Sequence, residues 1–171
     1  MAKGLSSGYQ PIGAAAFSEH LIKDFFAKGG EFYHGMTYSG HPVCAAVALK
    51  NIEIIQQEKL VERVAELAPH LAEGLASLRD HPIVGETRSV GLIGAIELTK
   101  NKKTRERFSD VGRVGTICRD HCINNGLIMR ACWDTMVMSP PFTISKKEID
   151  ELVRLARFAL DKTYADVKSE M

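Results

Sequence analysis

Apolar side chains recur at every third or fourth position between residues 60 and 78 of this 171-residue chain. The positions are Leu60, Val64, Leu67, Leu71, Leu75 and Leu78. This spacing places all of them on one face of an α-helix, and such a stripe has to be buried against other elements. Pro69 lies inside the stripe, where its ring removes a backbone hydrogen bond and is expected to bend the helix. The stripe therefore predicts a long helix that lies on a hydrophobic core.

Two further helices are predicted before the stripe. Ser18 is a suitable N-cap for a helix that continues to Phe26. Pro42 suits the first turn of a helix that continues to Gln57, because proline is tolerated where the backbone N–H has no helical partner. Residues 1–17 are predicted as loop and short strand.

The pattern after the stripe changes to short apolar runs separated by turn residues. Ser145 and Glu148 form a capping box, which predicts the start of a final helix. Helices followed by short strands and then helices predict an α+β fold with helices on one side of a small sheet. The predicted segments are strands 83–90, 91–98, 127–132 and 136–139, a charged surface loop 99–109, and a helix 111–124.

The composition argues against several classes of function. The chain is 45% hydrophobic and 25% charged, and its formal net charge is +1. A chain so close to neutrality offers no electrostatic surface for nucleic acid or an anionic membrane. No apolar run reaches the length of a membrane span, and the N-terminus shows no secretion signal, so we expect a cytoplasmic protein.

The cysteines are expected to be free thiols in a reducing compartment. They are Cys44, Cys118, Cys122 and Cys132. Cys118 and Cys122 are four residues apart on a predicted helix, with His121 beside them. A zinc site of the finger type needs a second ligand pair at matching spacing, and the sequence has none. We predict no metal site.

Lys3 stands directly before a segment rich in glycine and serine, from Gly4 to Gly13. Small residues let the backbone turn sharply and let a bulky group approach. A lysine amine held at such a turn can form a Schiff base with a carbonyl, including the aldehyde of pyridoxal phosphate. The alternative is an ordinary coil with a solvated lysine.

Thr37 lies in the loop 32–42, where a hydroxyl and several glycines precede a predicted helix N-terminus. The free N–H groups of a helix N-terminus favour phosphate, and the Thr37 hydroxyl adds a donor. The alternative is a capping loop in which the aromatic residues pack.

Arg130 lies inside an otherwise apolar predicted strand. Arginine is rarely buried without a partner, and the partner that matches its two parallel N–H donors is a carboxylate. That carboxylate belongs either to a ligand or to an Asp or Glu of the protein, and the pattern leaves both open.

Taken together, these segments resemble the C-terminal part of class III, pyridoxal-phosphate-dependent aminotransferases, above all the ω-amine:pyruvate and putrescine–pyruvate type. The resemblance covers essentially the whole chain. The matching segments are Ala2–Tyr9, His34–Pro42, His81–Glu86, Gly91–Leu98, Leu127–Ala131 and Pro140–Pro141.

The resemblance implies a transaminase that moves an amino group from an ω-amine or diamine to pyruvate, with pyridoxal 5′-phosphate as cofactor. Lys3 corresponds to the catalytic lysine that binds the cofactor covalently. Thr37 corresponds to a contact with the cofactor phosphate of the neighbouring subunit of a homodimer, or of a dimer of dimers. Arg130 corresponds to a mobile arginine that pairs with the substrate carboxylate. Met36 and Trp133 differ from the usual residues of relatives, and Met36 would line the mouth of the substrate pocket.

The resemblance also implies a division of the chain. Residues 1–57 would be the C-terminal end of the large domain of a fold-type-I transferase with its connecting helix, and residues 58–171 the small C-terminal domain. The family's phosphate loop and its partner for the cofactor ring nitrogen precede the lysine, so we expect the 171-residue chain alone to be inactive. Five apolar side chains are then expected to expose apolar surface: Leu5, Ile12, Phe17, Phe25 and Phe26.

Other functions stay open at this point. The chain could be a non-catalytic module that pairs with a full-length subunit. It could also be a sibling enzyme of the same class, such as an acetylornithine aminotransferase or a glutamate-1-semialdehyde aminomutase. A nucleotide-binding loop is disfavoured, because no Lys-Ser or Lys-Thr pair ends the glycine-rich segment.

Overall fold

The computed structural model describes residues 1–171, which form two compact units, Met1–Lys59 and Leu60–Met171. The assignment of residues 1–57 and 58–171 to the large and small domains of a longer enzyme stays a prediction. No helix of the structure is both long enough and apolar enough to span a membrane.

The first unit contains a 3-10 turn over Lys3–Leu5 and two helices, α1 (Glu19–Ala27) and α2 (Pro42–Gln57). Ser18 caps α1, because its hydroxyl oxygen accepts the backbone N–H of Leu21 at 3.5 Å. Pro42 occupies the first turn of α2, as predicted. Both helices therefore begin at the predicted residues.

The short strand predicted within residues 1–17 is absent, and that prediction was wrong. Lys3 and Ser7 have φ angles of 53° and 50°, and Gly8 has a φ of 79°. This left-handed backbone cannot join the extended ladder of a sheet. The segment turns back on itself instead.

The first unit has almost no buried core. Ser6 and Ala48 are its only buried residues. Phe17, Phe25 and Phe26 are exposed, as predicted, whereas Leu5 and Ile12 are half-buried. This unit therefore has few buried apolar side chains to hold its segments together.

The second unit contains a four-stranded antiparallel sheet in the order β1-β2-β4-β3. The strands are β1 (Val84–Val90), β2 (Ile93–Leu98), β3 (Arg130–Cys132) and β4 (Thr135–Met138). Strand β3 is therefore an edge strand, and it is shorter than the predicted strand 127–132. Strands β1, β2 and β3 lie inside their predicted segments, and β4 begins one residue before its predicted segment.

Three helices complete the second unit: α3 (Leu60–Ala76), α4 (Arg113–Asn124) and α5 (Lys146–Val167). Helix α3 packs on β1 and β2, and α4 packs on β3 and β4. Helix α5 packs on α3 and α4. It begins at the predicted capping box, in which Ser145 and Glu148 satisfy each other's backbone N–H groups. The α+β architecture predicted from the sequence is confirmed.

The core lies between the helices and one face of the sheet. From the apolar stripe, Leu67, Leu71, Leu75 and Leu78 are buried, and α3 continues through Pro69. Cross-strand partners Ile96 and Met136 are buried beneath them. The segment 99–109, predicted as a surface loop, also contributes Phe108 to the core.

His81 is a buried titratable residue in the turn before β1. Its Nδ1 accepts the backbone N–H of Ile83 at 3.4 Å, and its Nε2 lies 3.3 Å from an oxygen of Asp161 on α5. The ring packs edge-on against Tyr164. Burial lowers the pKa of His81 below its ordinary value, although the Asp161 carboxylate opposes this shift. The folded chain therefore favours neutral His81.

A folded-state pKa below the unfolded value makes stability depend on pH. The contribution of neutral His81 to the free energy of unfolding is fully present above the unfolded-state pKa of about 6.5. It is lost as the pH falls from that value towards the lower folded-state pKa, by at most about 1.4 kcal/mol per pH unit. We expect the stability advantage of the wild type over His81→Asn to shrink between pH 7.5 and 5.5. Urea unfolding at both pH values measures it. His70→Asn, at an exposed pair with Asp150, is the control. An advantage that stays constant or grows on acidification would contradict the prediction.

Candidate active site

Lys3 is the first residue of the 3-10 turn in the first unit. Its φ of 53° places the backbone in the left-handed region, which non-glycine residues rarely adopt. The side chain is exposed, and its amine makes no hydrogen bond or ion pair within the chain. A free amine on a sharply turned backbone is chemically suited to attack an aldehyde.

The backbone around Lys3 is held by polar contacts. Asn51 on α2 donates from Nδ2 to the carbonyl oxygens of Gly4 at 2.9 Å and Leu5 at 3.2 Å. Its Oδ1 accepts the hydroxyl of Ser7 at 2.8 Å. The buried Ser6 hydroxyl donates to the carbonyl of Gln10 at 2.6 Å. These contacts tie the lysine segment to α2.

Thr37 lies in the turn immediately before α2. The turn is closed by Ser39, whose hydroxyl oxygen accepts the backbone N–H of Met36 at 3.0 Å. Thr37 is exposed, and its hydroxyl has no hydrogen-bond partner in the chain. Met36 beside it exposes 69% of its surface. The hydroxyl and the N-terminus of α2 are thus available to an anion.

Arg130 is the first residue of the edge strand β3 and is exposed, not buried. It pairs with Val137, whereas its neighbour Ala131 pairs with the buried Met136. Because successive side chains of a strand alternate between faces, Arg130 lies on the face that the helices leave open. No Asp or Glu of the chain pairs with it, so the structural salt bridge considered for this residue is absent.

The hairpin that carries Arg130 is fixed to α4 by Asp134. One carboxylate oxygen of Asp134 accepts the N–H of Gly112 and the other accepts the N–H of Gly115, each at 2.9 Å. Helix α4 has no N-cap side chain of its own, since Gly112 occupies that position. A Cβ on Gly115 would lie 1.9 Å from the carbonyl oxygen of Trp133, so only glycine permits this approach.

Two of these residues, Asn51 and Asp134, were not predicted from the sequence. Asn51 sits in the middle of a helix, where asparagine is unfavourable, and this conflict was a readable signal. Asp134 follows Trp133 in a hairpin turn, and nothing in its local pattern indicates that it caps a distant helix. Within the first unit, no hydrogen bond joins the predicted residues Lys3 and Thr37. Arg130 belongs to the second unit.

The family model for class-III aminotransferases matches residues 1–160. The chain belongs to this family. It is 57% identical to the putrescine–pyruvate aminotransferase of Pseudomonas aeruginosa over 98% of its length and 36% of that protein. It is 44% identical to gamma aminobutyrate transaminase 1, mitochondrial, of Solanum lycopersicum, over 95% of its length and 32% of that protein. The chain thus spans about a third of the length of these curated relatives.

Solved structures give the same family. A PMP-bound aminotransferase from Vibrio fluvialis superposes with a TM-score of 0.90 at 35% identity, over 97% of this chain and 37% of that one. A transaminase obtained by ancestral reconstruction superposes with a TM-score of 0.91 at 37% identity, over 96% and 37%. The predicted fold class, the C-terminal part of a fold-type-I transferase, is confirmed, and the cofactor of the family is pyridoxal phosphate.

The residues present fit that cofactor. The amine of Lys3 is free to react with the cofactor aldehyde. The unpartnered hydroxyl of Thr37, next to the N-terminus of α2, suits a phosphate group. Arg130 leaves its planar donors free for a carboxylate.

We expect Asp134→Ala to destabilise the second unit by about 2 kcal/mol, because it removes two charge-assisted hydrogen bonds and leaves two N–H groups of α4 without partners. Urea unfolding measures the effect. Asp120→Ala is the matched control, since Asp120 lies on α4 and pairs only with its neighbour Arg119. Equal stability of the two variants would show that the Asp134 cap contributes nothing.

Proposed function

We propose that the chain supplies Lys3, Thr37 and Arg130 to a homodimeric transaminase that moves an amino group from an ω-amine such as putrescine to pyruvate. One observation carries the proposal: the unpaired amine of Lys3, presented on a left-handed turn, in a chain that is 57% identical to a putrescine–pyruvate aminotransferase. The residue roles below are parts of this proposal.

Lys3 is proposed to hold the cofactor and to move a proton. When bound, pyridoxal phosphate supplies an electron sink for the bonding electrons of the donor carbon. With the cofactor in place, the Lys3 amine would take the proton from the carbon that bears the donor's amino group and would pass it to the C4′ atom of the cofactor. The exposed position of Lys3 leaves its amine free for both tasks.

Thr37 is proposed to donate its hydroxyl to the cofactor phosphate of the neighbouring subunit, assisted by the N-terminus of α2. This role requires a homodimer. It is supported by the exposed, unpartnered hydroxyl in the turn before α2.

Arg130 is proposed to pair with the carboxylate of pyruvate and to swing away for a donor that has no carboxylate. Its position on an edge strand, without an ion-pair partner in the chain, supports both arrangements. Met36, exposed beside Thr37, is proposed to line the substrate entrance.

The 171-residue chain alone is proposed to be inactive, because it leaves Lys3 exposed to water and packs no group around its amine. A module that only pairs with a longer subunit is the alternative, and it would alter that subunit's assembly without capturing cofactor. A reducing compartment such as the cytoplasm is proposed because all four thiols are free.

A chimera tests the function directly. In the Pseudomonas aeruginosa relative, the matching third is replaced by this chain, which its 57% identity over 168 residues makes feasible. Alanine formed from pyruvate is measured with putrescine, 4-aminobutyrate and acetylornithine as donors. We expect turnover with putrescine. A folded, cofactor-loaded chimera that transaminates none of these donors would refute the proposal, and selective turnover of acetylornithine would favour the sibling enzyme.

In the chimera, we expect Lys3→Ala to reduce alanine formation by about a thousandfold or more, because both the covalent anchor and the proton carrier are lost. Lys28→Ala, at an exposed lysine of the same unit, should leave the rate unchanged. Retention of more than a tenth of the activity in Lys3→Ala would assign the chemistry to another lysine.

Arg130→Ala in the chimera should raise the KM for pyruvate about tenfold or more, because a charge-assisted pair with the carboxylate is lost. The half-reaction with putrescine should change little, since putrescine has no carboxylate. Single-turnover kinetics of each half-reaction separate the two effects, with Arg107→Ala as an exposed control.

A second candidate donor is 4-aminobutyrate, which the 44% identity to a gamma aminobutyrate transaminase favours. This donor carries a carboxylate, so Arg130→Ala would then impair both half-reactions. Impairment of the donor half-reaction alone would contradict the role proposed for Arg130 in binding pyruvate.

A further inference from the structure

The turn that presents Lys3 has a backbone conformation that needs external support. Lys3 and Ser7 both have positive φ angles, 53° and 50°, and three residues separate them. Non-glycine residues rarely adopt this conformation, and it persists only where surrounding contacts over-determine it. The hydrogen bonds from Leu5 to Ala2 and from Ser6 to Lys3 inside the turn are long, at 3.3 Å each. These two bonds alone are therefore weak support for the turn.

Asn51 supplies contacts that the turn itself lacks. Its Nδ2 reaches the carbonyl oxygens of Gly4 and Leu5, and its Oδ1 accepts the hydroxyl of Ser7. Carbonyl oxygens only accept hydrogen bonds, so the nitrogen of the amide has to face them, and the oxygen is left for the hydroxyl. One side chain from α2 thus contacts Gly4 and Leu5, which lie between the two strained positions, and also contacts one of those positions directly.

The presence of asparagine at position 51 of the helix also indicates that its side chain serves the Lys3 turn. Asparagine in the middle of a helix is less favourable than alanine or leucine, because its side chain competes for backbone hydrogen bonds. In α2 the side chain of Asn51 instead bonds to a segment 44 to 47 residues earlier in the chain. It is half-buried, whereas Gln56 and Gln57 on the same helix are exposed.

We propose that Asn51 is a positioning residue, whose side-chain amide holds the Lys3 turn in the geometry from which the amine meets the cofactor aldehyde. This inference rests on the proposed function of Lys3. Asn51 has no hydrogen bond with the Lys3 side chain, so it acts through the backbone of Gly4 and Leu5 and through Ser7.

Hydrogen exchange of the 171-residue chain tests whether Asn51 holds the Lys3 turn, and it needs no cofactor. We expect the amides of Leu5, Ser6 and Tyr9 to exchange about tenfold faster in Asn51→Ala than in the wild type. Asn51→Asp has nearly the same shape but replaces the donor by a carboxylate that faces two carbonyl oxygens. The same amides should therefore exchange in Asn51→Asp at least as fast as in Asn51→Ala. Ser7→Ala should have a smaller effect, and Gln56→Ala should have none.

Two exchange results would overturn the inference. One is that these amides exchange at the wild-type rate in both Asn51→Ala and Asn51→Asp. The other is that the same amides show no protection from exchange in the wild-type chain. If Asn51→Ala loosens the whole chain, shown by faster exchange in α5, the isosteric Asn51→Asp and the single-bond variant Ser7→Ala decide the matter instead.

Capture of pyridoxal phosphate tests whether the held turn favours reaction of the Lys3 amine with the cofactor aldehyde. Each variant is mixed with the cofactor and reduced with borohydride, and peptides are mapped to give the ratio of adduct at Lys3 to adduct at Lys28. We expect this ratio to fall about tenfold in Asn51→Ala and Asn51→Asp and to stay unchanged in Gln56→Ala. An unchanged ratio in Asn51→Asp would overturn the positioning role while leaving Lys3 as the cofactor lysine. A wild-type chain that labels Lys28 as readily as Lys3 would count against Lys3 itself, and the exchange rates would still decide whether Asn51 holds the turn.

Discussion

Burial of the α3 stripe against the sheet is the contact on which the second unit depends. Leu71 and Leu75 are almost completely buried, and a Cβ added to Gly94 on β2 would lie 2.6 Å from Cδ1 of Leu75. The helix and the strand therefore approach each other so closely that a larger residue at position 94 would displace the Leu75 side chain. Burying a leucine side chain is worth about 2 kcal/mol, so several such residues on one helix outweigh any single polar contact in this unit.

The same packing determines where Arg130 can act. Because α3 and α4 cover one face of the sheet, the residues whose side chains alternate with the buried ones are left on the open face. Asp134 then joins the hairpin to α4 through two backbone N–H groups, so the strand that carries Arg130 is fixed at its turn. A long side chain on a fixed backbone suits the role proposed for Arg130, which is to pair with one substrate and to swing away from another.

The first unit is organised differently, because it has almost no core. Its lysine turn is held by hydrogen bonds to Asn51 and within the segment, and its phenylalanines are exposed. Polar contacts of this kind are directional, so they can fix the conformation of a short turn, but each contributes only about 1 kcal/mol net. Such a unit can present a reactive amine accurately and still be much less stable than the helices and sheet of the second unit.

The sequence was enough to predict the helices, the short strands of a small sheet and the family, because periodicity, the Ser145 capping box and the motifs around Lys3, Thr37 and Arg130 are local patterns. It failed where the outcome depended on residues far apart in the chain. The expected strand in residues 1–17 was replaced by a left-handed turn, Arg130 proved exposed, and neither Asn51 nor Asp134 was recognised. These points depend on the folded chain, because a hydrogen bond between residues 47 or 22 positions apart leaves no periodic trace in the sequence. The face on which a strand residue lies is likewise fixed by register with the neighbouring strands.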